Sequence, residues 1–348
     1  DVAMLIGRGC DNASSGLEGP GSLCPRRLKR FVEAVDRAGA RDVMRVGMWD
    51  DTGAYDDYGK GDLDLSNKAN WKYFWDHNMK IFFDTIPKSM WYRMDGKPVI
   101  AFWSLSDSFF KNQRGNASRM LAWLKNNFIN RYGVEPAFIL QKNWFEEDPT
   151  INTSHAEGKH AWFRPKSDDY SAIYSYTNYN GQTWGALAPG FRDSGNKPGC
   201  GSSCREVKRK NGETLINGLK AGKNAKFTLL EGWTDLAESA GFYRSNEWQY
   251  PTQNINIVRR FADPKPETIR FQAEGADRFK DTTNDNKGGS YANRALDVKR
   301  IGSGWYVGWT EKGEWLEYQN VELGAGTYRF TARVSTNGSG KKLRLGVG

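Results

Sequence analysis

The sequence predicts an α/β domain of the TIM-like (β/α)8 barrel type, without its N-terminal start, over residues 1–263. A Pro-rich linker (264–268) connects it to a C-terminal all-β sandwich of the jelly-roll type (269–348). Two observations predict the barrel. Short apolar runs alternate with helical patterns, as in parallel βαβ units, and the Gly-x-Gly-x-x-Gly turn of a doubly wound nucleotide-binding sheet is missing. The sandwich is predicted because short alternating strands with Gly-rich turns follow the linker.

Each predicted βα unit begins with an apolar run bounded by turn residues. These strands lie at 2–7, 43–49, 98–103, 137–141, 172–176 and 227–231. The intervening helices carry apolar residues at three- and four-residue spacing, one beginning at Pro25 and the others spanning 70–87, 120–128, 214–220 and 254–262. Six or seven units fall short of eight, so we expect the first strand of the barrel to be absent.

The C-terminal strands are predicted at 269–274, 305–309, 315–318 and 328–334. Two prolines within the segment Asp-Pro-Lys-Pro-Glu end the preceding helix and stiffen the linker. The chain opens and closes on strand-like segments, and we expect both ends to be cut.

Charge and composition exclude several classes of protein. Fifty Lys and Arg against 41 Asp and Glu give a net charge of +9, but the excess is spread along the chain and only 208–210 form a compact basic run. This distribution argues against a nucleic-acid partner. The 14 Trp, 15 Tyr and 18 Phe exceed what a disordered chain carries, and no apolar stretch is long enough for a membrane span.

The four cysteines form two close pairs, Cys10 with Cys24 and Cys200 with Cys204. Close pairs in Gly/Ser-rich segments predict loop-closing disulfides, and hence a secreted or periplasmic protein. The alternative is a four-cysteine zinc site, although neither pair has the two-residue spacing of a zinc knuckle.

Catalytic and binding residues of a parallel barrel stand at the carboxyl ends of its strands. The polar and aromatic residues that follow the predicted strands are Asp50, Asp51, Trp103, Ser104, Lys142, Asn143, Tyr176, Asn178, Glu231, Asp235 and Glu238. By these predictions His77, His155 and His160 fall on none of the ends, and the chain has no Gly-x-Ser-x-Gly elbow. A Ser-His-Asp hydrolase is therefore disfavoured.

The segment around Glu231, Asp235 and Glu238 brings three carboxylates to one strand end, and glycoside cleavage needs two carboxyl groups on either side of one bond. Asp235 or Glu238 would be the general acid, with Glu231 the nucleophile, base or cation stabiliser. The structural alternative is a buried acid at Glu231 and a helix cap at Asp235.

Further side chains fit a saccharide at the same barrel mouth. Asp50 or Asp51 would bind hydroxyl groups, and Trp103, Tyr176 and Trp233 offer flat faces on which sugar rings pack. Core packing is the alternative role for each aromatic.

The C-terminal residues resemble a family 6 carbohydrate-binding module. The matching pieces are Gln272-Ala-Glu274, a Gly-Gly-Ser-Tyr turn, Val-Gly-Trp-Thr-Glu-Lys-Gly-Glu-Trp-Leu-Glu-Tyr and Gly-Thr-Tyr-Arg-Phe-Thr-Ala-Arg-Val. The resemblance implies a structural calcium near Gln272 and Glu274 and a sugar-stacking aromatic at Trp305 or Tyr306. Such modules are longer than this segment, which therefore represents an incomplete one.

The barrel residues resemble glycoside hydrolase families 71 and 99, including secreted bacterial barrels of unknown function. The matching pieces are Tyr-Arg-Met-Asp-Gly-Lys-Pro-Val before a strand, Glu-Gly-Trp-Thr-Asp (231–235) and a terminal Arg-Arg-Phe-Ala-Asp. Family 99 enzymes carry Asn-Glu-Trp-x-Glu there, with both glutamates catalytic. This chain has Glu231 in place of the Asn, Gly232 in place of the first glutamate and Asp235 in place of the second.

Together these features predict a secreted glycoside hydrolase that acts on a polysaccharide or glycan through paired carboxylates and needs no cofactor for catalysis. The alternative, from a different class, is a non-catalytic surface or matrix glycoprotein that uses the barrel as a scaffold.

Overall fold

The structure is a computed structural model that describes residues 4–6, 23–52, 63–162, 175–193, 199–232, 240–242, 253–262, 271–289, 295–302, 304–318, 321 and 326–347. The chain divides into two compact units, Asp1–Tyr243 and Arg244–Gly348. The helix predicted to close the barrel falls in the second unit by this division. Among the helices that the structure describes, none combines the length and apolarity that crossing a bilayer requires.

The first unit alternates strands and helices, as predicted. Its strands are β1 (Met4–Ile6), β2 (Val46–Asp50), β3 (Leu63–Asp64), β4 (Arg93–Met94), β5 (Lys97–Phe102), β6 (Phe110–Lys111), β7 (Ala137–Gln141), β8 (Gly158–His160), β9 (Ser175–Tyr179), β10 (Gln182–Leu187), β11 (Phe191–Arg192), β12 (Glu206–Val207) and β13 (Phe227–Leu230). Its helices are α1 (Leu23–Arg37), α2 (Lys68–Phe74), α3 (Lys80–Thr85), α4 (Ala117–Tyr132), α5 (Asn143–Glu147) and α6 (Glu213–Ala221). A π-helical turn (Trp75–Met79) joins α2 to α3, and 3-10 turns lie at Lys88–Met90, Gly201–Ser203 and Lys210–Gly212.

The main sheet is parallel and runs in the order β1-β2-β5-β7-β8, which is also the order of these strands along the chain. Strand β4 adds antiparallel to β5. A second sheet has the order β13-β10-β9, with β10 parallel to β13 and antiparallel to β9. Strand β8 lies beside β9 and β10. Parallel neighbours joined by helices are the arrangement that the sequence predicts for this unit.

Alternation along the strands gives the main sheet two faces. The helix face packs on the helices through side chains that include Met48, Ile100, Phe102, Phe138 and Leu140. The inner face carries a second apolar cluster that contains Trp49, Ala101, Ile139, Trp184 and Leu229. Both faces are therefore covered, as a parallel sheet requires.

A charged cluster lies at the amino-terminal edge of the main sheet, opposite the strand ends that were predicted to carry the site. The Lys125 Nζ is 2.8 Å from Glu157 Oε1 and 3.2 Å from Glu135 Oε1, and Lys97 Nζ bridges the same two carboxylates. Glu157 also accepts a 2.8 Å hydrogen bond from the Phe138 amide. The Lys125 side chain is only 7% exposed, so this cluster neutralises a buried charge.

The second unit has a helix, α7 (Gln253–Ala262), a 3-10 turn (Ala273–Gly275) and four strands, β14 (Arg278–Lys280), β15 (Val298–Ile301), β16 (Gly304–Val307) and β17 (Trp315–Glu317), within its described part. The strands form two antiparallel pairs, β14 with β17 and β15 with β16. The predicted strands at 305–309 and 315–318 are confirmed within one or two residues.

Two predicted strands of this unit are wrong in their described parts. Residues 271–274 form irregular backbone and the start of the 3-10 turn, and residues 328–334 are irregular with exposed side chains. Alternation predicts a strand only if another strand supplies hydrogen bonds, and none pairs with these segments among the residues that the structure describes.

Candidate functional site

Five side chains extend the inner face of the two sheets towards its carboxyl-terminal edge. Residues two apart on a strand point to the same side, so each side chain that follows an inner-face residue by two positions continues that face. These residues, which we call the strand-end layer, are Asp51, Trp103, Gln141, His160 and Glu231. The backbone pairing continues beyond the strands, because the Trp103 amide donates to the Asp50 carbonyl at 2.9 Å and the Glu231 amide to the Leu187 carbonyl at 2.8 Å.

Glu231 follows β13 and is 7% exposed. Phe227 and Leu229 precede it on the same side of the strand, and both belong to the inner apolar cluster. Phe227 stacks on Trp184 with ring centroids 4.2 Å apart. The predicted strand-end carboxylate is therefore buried at the end of a strand whose inner side is otherwise apolar.

His160 ends β8, so the prediction that no histidine lies at a strand end is wrong. Its Nε2 lies 2.9 Å from the Phe102 carbonyl oxygen, which can only accept, so Nε2 carries the proton. Complete burial lowers the pKa of His160 to about 4, with the Phe102 carbonyl acting in the opposite direction. The imidazole is therefore neutral near pH 7 and its Nδ1 is a hydrogen-bond acceptor.

Gln141 and His160 are paired in register on neighbouring strands. Gln141 Oε1 and His160 Nδ1 are both buried, and neither has a hydrogen-bond partner in the part of the chain that the structure describes. Two buried acceptors on one face call for a donor, such as a water molecule or a ligand hydroxyl, because an unpaired buried polar atom costs about 1–3 kcal/mol.

Two aromatic rings lie beside the His160 imidazole. Trp49 contacts the His160 ring with centroids 5.3 Å apart and the Trp162 ring with centroids 4.9 Å apart. Gly158, His160 and Trp162 alternate with period two, which is the signal in the sequence that could have identified β8. The strand was missed because Gly-Lys-His contains no apolar residue.

Asp50 and Asp51 take opposite sides of the sheet. Asp50 is fully buried, and Asn78 of the π-helical turn donates a 2.7 Å hydrogen bond to its Oδ2. It therefore faces the helices and not the inner face, where the sequence had placed a substrate-binding group. Asp51 is half-buried and belongs to the strand-end layer.

Trp103 also belongs to the strand-end layer, and its ring lies 5.8 Å from that of Phe109. The sequence predicts Tyr176 at the carboxyl end of a parallel strand, and this prediction is wrong. Tyr176 lies within the antiparallel strand β9, where it pairs with Gly185. The predicted residues Trp233, Asp235 and Glu238 lie outside the described residues.

In the second unit, the two predicted sugar-stacking residues differ in exposure. Trp305 packs against the small core of Leu296 and Val298, whereas Tyr306 is 39% exposed. Trp309, which sequence reasoning did not single out, is 44% exposed, and its ring lies nearly parallel to that of Tyr306. Its φ of +49° is uncommon for a bulky side chain, and such strain is often found at binding surfaces.

Calcium in proteins takes six to eight oxygen ligands. Glu274 is buried, while the Gln272 side chain is exposed and its carbonyl accepts a 3.0 Å hydrogen bond from the Tyr318 hydroxyl. In the described ranges, no three acidic, histidine or cysteine ligand atoms gather around Glu274. These residues do not by themselves make a carboxylate cage, and calcium stays a prediction.

The predicted Cys200–Cys204 disulfide is confirmed, with Cα atoms 5.0 Å apart. Asp193 lies near the two sulfur atoms, but its carboxylate accepts hydrogen bonds from Arg205, including one of 2.8 Å from Nε. Zinc binds thiolates, which a disulfide does not offer, so the structure favours the disulfide over the zinc alternative. The predicted Cys10–Cys24 bond involves Cys10, which lies outside the described residues.

Solved structures share features of this fold. A protein described as glycoside hydrolase-like matches with a TM-score of 0.54 and 13% identity, over 74% of this chain and 81% of that chain, which shows a likeness of fold. Two structures of the GH99 endo-alpha-mannosidase from Bacteroides thetaiotaomicron match at 14% identity over 69% of this chain. Their TM-scores are 0.43, in the complex with BIS-TRIS-propane, and 0.42, and the matches cover 85% and 80% of those chains.

No curated protein matches the chain. Residues 289–348 match the model of a carbohydrate binding module of family 35, which supports a carbohydrate-binding module but not the family 6 assignment that the sequence suggested. Residues 1–278 match the model described as Domain of unknown function (DUF5010). Since this match spans most of its length, the chain belongs to the DUF5010 family.

Proposed function

We propose that this protein acts on a polysaccharide or glycan as a glycoside hydrolase, with its reaction centre at the strand-end layer and a saccharide-binding module at its C-terminus. The observation that carries the proposal is Glu231, a buried carboxylate at the end of a parallel strand on the inner face. A glycosidase places its acid and its nucleophile or base at such strand ends.

The neighbouring side chains support a polyhydroxylated ligand. Gln141 and His160 contribute two acceptors for hydroxyl protons, and Trp49 and Trp162 contribute aromatic surface for a sugar ring. Neutral His160 is an acceptor and not an acid near pH 7, so proton donation falls to a carboxyl group. In this proposal Glu231 is the nucleophile, base or cation stabiliser, and Asp235 or Glu238 is the general acid.

The second unit supports the same ligand class. The exposed rings of Tyr306 and Trp309 offer two nearly parallel faces, and Lys299 Nζ lies 5.9 Å from the centre of the Trp309 ring. We propose that this pair, rather than Trp305, is the surface on which the module stacks a sugar.

The disulfide Cys200–Cys204 supports a secreted or periplasmic location, since such bonds persist in oxidising compartments. The protein in this proposal meets its glycan outside the cytoplasm.

The test measures reducing ends released from a panel of plant and microbial glycans by the whole protein and by Glu231→Gln. The expected result is a loss of at least about 100-fold in turnover for this variant, the scale of general acid–base catalysis. Glu213→Gln, at an exposed position of α6, is the matched control. Unchanged turnover in Glu231→Gln contradicts the proposed role of that residue.

The second candidate function is glycan binding without hydrolysis. It is favoured by Gly232, which stands where family 99 enzymes have their first catalytic glutamate. Binding of a glycan with no release of reducing ends across the panel supports this candidate and contradicts the hydrolase.

A further inference from the structure

A polar cavity lies in the first unit, and none of its lining residues belongs to the strand-end layer. It has a volume of about 760 Å³, within the roughly 300–1,000 Å³ of small-molecule sites. Its lining includes Ser66, Asn112, Gln113, Arg114, Asn116 and Glu147, and we call it the polar groove. These residues follow β3, follow β6 or lie in α5, which begins just after β7. The groove therefore lies beyond the carboxyl ends of strands, as the strand-end layer does.

The floor of the polar groove is held by hydrogen bonds. Asp64 Oδ1 accepts from the Ser66 amide at 2.8 Å and from Asn112 Nδ2 at 2.9 Å. The Ser66 hydroxyl also donates to Asp64 Oδ1, at 2.6 Å. The three hydrogen bonds, that of the Ser66 hydroxyl most of all, hold the pKa of Asp64 below its ordinary value. Asn112 has a φ of +55°, and its carbonyl accepts from Asn116 Nδ2 at 2.7 Å. The amides of the floor are thus oriented before any ligand arrives, which lowers the entropic cost of binding.

Gln113 is oriented in the same way. It is buried, and its Nε2 donates to Asp107 Oδ1 at 2.6 Å and to the Phe110 carbonyl at 2.9 Å. With both donors directed into the protein, the Gln113 amide holds the loop after β6 in place.

Two other residues of the lining, Arg114 and Glu147, are charged. Neither the Arg114 guanidinium nor the Glu147 carboxylate makes a hydrogen bond or ion pair within the part of the chain that the structure describes. Oriented amides beside unengaged charged donors and acceptors suit a ligand that hydrogen-bonds to both Arg114 and Glu147.

The charged residues in and beside the polar groove indicate which class of ligand it binds. The charged residues of the lining are Arg114, Glu146 and Glu147, and Lys142 Nζ, which is not part of the lining, lies 3.8 Å from Glu146 Oε1. The nearby amino terminus of α4 does not attract an anion, because the Asp148 carboxylate already accepts the Ser118 amide at 2.8 Å. A lining of amides, one guanidinium and two carboxylates, one of which has Lys142 beside it, disfavours an anion and suits a neutral ligand with many hydroxyl groups.

We propose that the polar groove binds a neutral oligosaccharide as a site distinct from the strand-end layer. The choice of a saccharide rests on the glycan-directed role proposed above. Arg114 donates to hydroxyl or ring oxygens, and Glu147 accepts hydroxyl protons. The groove holds a stretch of glycan away from the reaction centre.

The test uses the whole protein with four neutral tetrasaccharides (cellotetraose, xylotetraose, laminaritetraose and α-1,6-mannotetraose) and one anionic one, tetragalacturonate. At least one neutral tetrasaccharide is expected to slow amide hydrogen exchange in 112–116 and 143–148. Arg114→Ala and Glu147→Gln are expected to weaken its binding about tenfold, the effect of losing one hydrogen bond to a charged group. Arg26→Ala and Glu33→Gln, at exposed positions of α1, are the controls for removing one charge.

The proposal is overturned if none of the neutral probes protects these segments, if both variants bind like the parent, or if only tetragalacturonate binds there. The outcome for the hydrolase is separate. If Glu231→Gln loses turnover while Arg114→Ala binds the tetrasaccharide like the parent, the proposed reaction centre is supported and the groove proposal is contradicted. If Arg114→Ala binds the tetrasaccharide more weakly while Glu231→Gln keeps normal turnover, the groove proposal is supported and the proposed reaction centre is contradicted.

Discussion

Replacing Glu157 by alanine is expected to destabilise the first unit by about 3 kcal/mol. Glu157 accepts hydrogen bonds from Lys97 Nζ, Lys125 Nζ and the Phe138 amide, at 3.1, 2.8 and 2.8 Å. Removing one partner of a buried ion pair costs about 3–5 kcal/mol because the other charge stays buried. The low end applies here, since Glu135, 3.2 Å from Lys125, remains as a partner.

Thermal melting at pH 7 measures this change. The Lys97 side chain, against the opposing effect of burial, holds the pKa of Glu135 below its ordinary value. The stability from Glu135 is therefore present above the unfolded pKa of about 4.3 and is lost as the pH falls through the folded pKa, so the cluster is intact at pH 7. For a unit of this size, 3 kcal/mol lowers the Tm by about 6–12 °C.

Two further variants separate the ion pair from other effects of truncation. Lys125→Met in the Glu157→Ala background removes the buried charge, so we expect it to recover part of the loss and the two changes to be non-additive. Glu33→Ala, which breaks an exposed 4.0 Å contact with Arg37, is the surface control and should cost less than about 0.5 kcal/mol. A loss below 1 kcal/mol in Glu157→Ala, or simple additivity with Lys125→Met, refutes this account of the cluster.

Three other predictions concern stability measured by urea unfolding. The low pKa of His160, about 4 against about 6.5 unfolded, means that the unfolded chain binds the extra proton first as the pH falls. Stability should therefore drop by about 2 kcal/mol between pH 7 and 5, and the same drop in His160→Gln contradicts this. Gly158→Ala brings a Cβ within 2.8 Å of both the Ile139 and Trp184 side chains and should cost about 1–3 kcal/mol, whereas the control Gly218→Ala, 3.5 Å from Leu187, should gain up to about 1 kcal/mol in helix propensity. Equal effects of the two glycine changes rule out crowding as the cause. Replacing Cys200 and Cys204 together by serine should cost about 2 kcal/mol, because their bond closes a loop of only five residues; a loss above 4 kcal/mol shows a larger structural role.

Much of the first unit could be predicted from local pattern. The strands predicted at 98–103 and 137–141 correspond to β5 and β7, and the apolar spacing of 120–128 falls within α4. These elements are buried on the sides that their periodicity indicates, because burial of a regular element imposes its own period on the sequence. The position of Glu231 directly after an apolar run was predicted in the same way.

Strand β8 shows where this reasoning stops. Its Gly158 is small because a Cβ would meet Ile139 and Trp184, which are 19 and 26 residues away in the chain. A strand whose composition is set by distant neighbours carries little local signal. The consequence was an undetected strand end and an undetected buried histidine.

The sequence by itself determined the alternation of strands and helices in the first unit, the division into an α/β part and a β part, and the carboxylate that follows β13. Only the tertiary structure decided that Asp51 belongs to the inner face while Asp50 bonds to Asn78 on the helix face. Adjacent strand residues point in opposite directions, so a shift of one position exchanges the face towards the helices for the inner face. That choice depends on the register of neighbouring strands, which is fixed by packing across the whole sheet.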